Sequence, residues 1–71
     1  MTPDEMRDRV NQLRDDVERG PDHDPEKWHG EEDAIYTAAL RAIADGYAAD
    51  PRGVAAAALH AGRIEFERWS A

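Results

Sequence analysis

The sequence predicts an all-α fold, either a small three-helix bundle or a helical hairpin with a third helix laid against it. Three observations carry that prediction. Apolar residues recur at spacings of four, three and four in three separate segments, which is the period of one helix face. Thirteen of the 71 residues are alanine, the best helix former. A capping residue precedes proline at Thr2-Pro3, Asp24-Pro25 and Asp50-Pro51, a pairing suited to helix starts.

The first helix is predicted over 3–19. Thr2 caps it, Pro3 takes the first helical position, and Glu5 stands three residues after Thr2 to complete a capping box. Met6, Val10, Leu13 and Val17 form one narrow apolar stripe. Charged pairs such as Glu5 with Arg9 and Arg14 with Glu18 stand at i,i+4 on the other faces. Gly20-Pro21 ends the helix.

Residues 20–30 read as an acidic connector. Asp24-Pro25 opens a short helical turn through Trp28, and Gly30 weakens its continuity. The main second helix is therefore expected over 31–45, with Glu31, Glu32 and Asp33 in its first turn, where the macrodipole favours acids. Its stripe is Tyr36, Leu40, Ile43 and Tyr47, with Ile35, Ala39 and Ala42 beside it. Gly46 is the expected cap. Asp50-Pro51 starts a third helix over 51–69. That helix has two apolar sides. One carries Ala55, Leu59, Gly62, Phe66 and Trp69, the other Val54, Ala57, Ala61 and Ile64. A two-sided helix is either central or buried against a second molecule, so a homodimer is one expectation. Ala55, Ala58 and Gly62 are small enough to admit a close helix and are the expected self-association residues.

Composition sets limits on this fold. A chain of this length buries only about 60% of its unfolded surface, and Leu, Ile, Val and Phe together number ten. The core is thin, and self-association or a partner is a natural way to complete it. Cysteine is absent, which removes disulfides and thiolate chemistry and fits a reducing compartment. The acidic N-terminus is unlike a signal peptide, and no apolar run approaches the length of a membrane span. The expectation is a cytoplasmic protein that does not bind membranes.

Charge is the most uneven feature. Between residues 15 and 33 stand nine acids and two bases, a balance of −7 that equals the net charge of the whole chain. Residues 34–71 hold four acids and four bases. Nucleic-acid binding draws on cations meeting phosphates, so this balance argues against direct contact with DNA or RNA. A helix-turn-helix reading of the second and third helices meets the same objection, since the third offers only Arg52, Arg63 and Arg68. Basic protein surfaces are the favoured partners.

Chemical sites have little support. Asp22, His23, Asp24, His29 and Asp33 are of metal-ligating types, but no metal signature is present, and the segment reads first as a solvated loop with capping acids. The only serine is Ser70 and the only threonines are Thr2 and Thr37, none with a base nearby in sequence. His60 is expected at the bundle edge. No catalytic residue, cofactor or metal is assigned, and the chain is not expected to be an enzyme. Trp28 is either a core lid or a partner anchor, and Trp69 belongs to the core or a dimer face.

The leading functional reading is a small acidic interaction module, in its sharper form an inhibitor that occupies a basic, nucleic-acid-binding surface of a partner protein. Its partner-binding residues are Asp15, Asp16, Glu18, Asp22, Asp24, Trp28, Glu31 and Glu32. The alternative is a structural subunit that self-assembles, or packs into a larger complex, through the Ala/Gly-rich third helix. A metal-dependent activity at the Asp/His connector is the third reading.

Overall fold

The computed structural model describes residues 1–68 as three helices, α1 (Pro3–Arg19), α2 (Pro25–Ala44) and α3 (Pro51–Leu59), followed by a 3-10 turn at His60–Arg63. Trp69 and the end expected for the third helix lie outside the described residues. The protein is an all-α three-helix bundle with no strand among the described residues.

Helix α1 starts as the sequence requires. Thr2 Oγ1 accepts from the Glu5 amide at 3.2 Å, and the Thr2 amide donates back to Glu5 Oε1 at 2.8 Å. The buried face is Met6, Val10 and Leu13. The tight 20–24 loop makes α1 and α2 antiparallel, and the Ala49 amide reaches the Met1 carbonyl at 2.8 Å. Gly46 has φ +79, a left-handed conformation that L side chains rarely adopt, in the turn after α2. Helix α3 begins beside the start of α1. A Cβ on Gly53 would stand 2.8 Å from Pro3 Cγ, so glycine is what permits that approach. Helix α3 therefore runs parallel to α1 and antiparallel to α2.

Helix α2 begins six residues before the expected position 31. Most of the supposed connector is helical. The Asp24 side chain accepts from the Lys27 amide at 3.1 Å, and Pro25 occupies the first turn. Gly30 sits exposed inside the helix. Its cost of about 1 kcal/mol relative to alanine is small beside the burial of Trp28, which is 5% exposed.

The early start also decides which face is buried. Trp28, Glu32, Ile35, Ala39 and Ala42 are in phase at spacings of four, three, four and three, and all five are buried. The stripe expected to face the core, Tyr36, Leu40, Ile43 and Tyr47, lies to one side of it. Leu40 is 68% exposed and Tyr47 56%. Alanines on the buried face let α2 approach its neighbours closely, whereas a Tyr/Leu stripe there would hold them apart.

Helix α3 is ten residues shorter than expected. It buries Val54, Ala57 and Ala58. Ala61 and Ile64 continue the buried side through the 3-10 turn. Gly62 is a poor helix residue, and Ile64 is already extended at φ −72, ψ 124. Leaving the helix turns the chain toward the start of α2. There Phe66 packs edge-on against Trp28, with ring centroids 5.8 Å apart, and Arg68 reaches Glu32.

Candidate functional site

Two surfaces of the bundle are candidates, one acidic and one apolar. The acidic one gathers around the loop that joins α1 to α2. Asp16 on α1 lies between two clefts. It lines one with Glu31, Arg9 and Gln12 and the other with Asp22, Asp24 and Lys27. Four of the expected partner-binding acids, Asp16, Asp22, Asp24 and Glu31, thus come to one side of the molecule. Asp15 points elsewhere on α1 and pairs with Arg19 at 3.7 Å. Glu18 lies in a separate cleft with Arg14 and Arg63.

Two expected partner-binding residues are used internally. The Trp28 ring is buried between His23, at a centroid distance of 5.3 Å, and Phe66. It is a core lid, and it does not present its ring as an anchor. Glu32 is 5% exposed. Its carboxylate accepts from Arg68 Nε at 3.1 Å, from an Arg68 Nη at 3.2 Å and from the Tyr36 hydroxyl at 3.0 Å. The same Nη donates to the Ala61 carbonyl, and the guanidinium lies 3.9 Å from the Phe66 ring centroid. A buried carboxylate needs such partners, so Glu32 ties Arg68 and the stretch before it to α2 and is not a surface acid. Burial, then the bond to Glu32 and the charge of that carboxylate, raise the Tyr36 phenol above its usual value.

The histidines separate. His29 faces Asp33 at 3.9 Å on α2, while His23 faces Glu67 at 3.4 Å. Among the described residues no three His, Asp or Glu side chains converge on a point that could hold a metal ion. Thr2 is engaged in the α1 cap, and Thr37 is exposed on α2. His60 is exposed after α3.

The apolar surface is a cleft of about 310 Å³ between α2 and α3. Tyr36, Leu40 and Ile43 form its α2 wall, and Ala55 and Leu59 its α3 wall. Leu40 and Leu59 are about two-thirds exposed, at 68% and 67%. Ala58, expected at a self-association face, is 3% exposed and part of the chain's own core. Its small size serves packing within the bundle. Ala55 is half-buried in the cleft wall, and Gly62 is exposed, with the Tyr36 hydroxyl 3.1 Å from where a Cβ would stand. Leu40 and Ile43 are surface residues although the spacing of their stripe alone predicts a core face. The phase of Trp28 with Ile35 and Ala39 was the available signal.

No family model, no curated protein and no solved structure matches the chain. Among the described residues, no helix is long and apolar enough to cross a membrane.

Proposed function

We infer that this chain is a small protein-interaction module that docks through the apolar cleft between α2 and α3. The observation that carries this reading is the exposure of Leu40 and Leu59 on facing walls of one cleft. A chain with so few large aliphatic residues gains most by burying them, and paired exposed leucines in a concave surface are typical of docking faces. The acidic side, at the other flank of α2, adds long-range attraction for a basic partner and sets the encounter rate more than the affinity. In this reading the chain performs no chemistry of its own and works in the cytoplasm.

A second reading is favoured by the grouping of Asp16, Asp22, Asp24 and Glu31. These carboxylates are spaced along one side of the bundle and could occupy a basic groove in place of nucleic acid, making the chain an inhibitor.

Tagged protein used to capture partners at low and high salt separates the two. Loss of a discrete partner with Leu40→Glu plus Leu59→Glu, at both salt levels, supports the apolar cleft. Loss at high salt, and with Asp16→Lys plus Glu31→Lys, supports the acidic competitor. Retention of the partner by both double variants sinks both readings.

A further inference from the structure

The rim of the cleft carries one exposed acid at one end and one exposed base at the other. Asp33 stands seven residues before Leu40 on α2, and Arg52 seven before Leu59 on α3. Seven residues are two helical turns, so each charge shares its leucine's face, about 10 Å along the axis. Because α2 and α3 are antiparallel, the two charges lie at opposite ends of the cleft. Both are exposed. Arg52 has no ion-pair partner among the described residues, and Asp33 meets only the His29 imidazole, at 3.9 Å.

We propose that a second copy of this chain occupies the cleft, turned end for end about a two-fold axis, with Asp33 and the partner's Arg52 at the same end of the interface. The proposal rests on the docking reading above and names its occupant. A two-fold interface must be self-complementary, and this face is: apolar in the middle, with opposite charges at its two ends. The end-for-end arrangement also sets the two acidic ends of the molecule far apart. A same-direction arrangement would bring them together and repel. Burial of Leu40, Ile43 and Leu59 from each copy returns to an apolar environment three of the ten Leu, Ile, Val and Phe residues that the chain possesses.

Sedimentation equilibrium over a range of concentrations tests this, with helix content followed by circular dichroism. The expected wild-type mass is twice the 8.0 kDa of the chain. Arg52→Glu and Asp33→Arg should each weaken the dimer about tenfold, and the two together should restore it, because the swapped charges again meet opposite charges at each end of the interface. Leu40→Glu and, separately, Leu59→Glu should give folded monomers. A wild-type monomer at every concentration overturns the proposal. So does a dimer that the swap fails to restore. If the wild type is monomeric yet a captured partner is lost with Leu40→Glu, the second copy is excluded and the docking reading stands. A dimer indifferent to both leucine variants, with no other partner lost, removes both.

Discussion

The guanidinium of Arg68 meets both carboxylate oxygens of Glu32 across 36 residues of chain, at 3.1 and 3.2 Å. This pair holds the non-helical stretch 64–68 over the start of α2, with Phe66 against Trp28. The Glu32 side chain is 6% exposed and that of Arg68 32%. Removal of the arginine strands a buried charge, which costs more than removal of the pair. Arg68→Ala should therefore destabilise the fold by about 2 kcal/mol, after allowance for the exposed arginine. Glu32→Leu combined with Arg68→Ala should cost clearly less. Urea midpoints of the two variants check this, and equal losses would contradict it.

Two glycines should respond to alanine with opposite signs. Gly30 is helical and exposed, and a Cβ there meets nothing within 4 Å. Gly30→Ala should stabilise by about 0.5–1 kcal/mol through helix propensity. At Gly53 a Cβ would run into Pro3 Cγ and the Asp50 carboxylate, which caps α3 by accepting from the Gly53 amide. Loss of a cap costs about 1 kcal/mol, so Gly53→Ala should destabilise. Thermal melts of the two variants moving the same way would refute the account.

Stability should fall at alkaline pH partly through Tyr36. Burial and the neighbouring Glu32 raise its pKa above the ordinary 10.0. The folded chain thus keeps this proton where the unfolded chain has lost it. The associated stability is whole below pH 10, the unfolded value, and disappears as pH rises through the folded one. Tyr36→Phe should flatten that part of the profile, and denaturant midpoints measured across it would reveal an unchanged slope if the assignment is wrong.

Surface and core leucine-class residues should differ sharply in their effect on the isolated bundle. Met6 is fully buried, and Met6→Ala should cost about 2–5 kcal/mol. Leu40 is 68% exposed, and Leu40→Glu should leave the stability of the monomer within about 0.5 kcal/mol. The comparison is best made at high dilution, where association does not contribute. A large loss for Leu40→Glu under those conditions would assign Leu40 to the core.

Much of the fold was legible locally. The Thr2 capping box, the 4-3-4 stripe of α1 and the Asp50-Pro51 start of α3 need only neighbouring residues, and they stand where the sequence puts them. The apolar spacing of α3 continues past Gly62 and by itself predicts helix there, while Phe66 and Arg68 find better partners on α2. The acidic surface was legible as charge but not as geometry. Nothing in the order of residues separates Glu31, on the surface, from Glu32, beneath Arg68.

The all-α class, the starts of α1 and α3, the inner face of α1 and the concentration of charge before residue 34 are all encoded locally. Each follows from periodicity, capping or composition, which act within a few residues. Which side of α2 faces inward depends instead on packing between distant parts of the chain. Two apolar stripes on that helix, one of Ile35, Ala39 and Ala42 and one of Tyr36, Leu40 and Ile43, are both plausible by period. The choice falls to the stripe in phase with Trp28, whose alanines let three helices pack closely, and it leaves Leu40 and Leu59 at the surface.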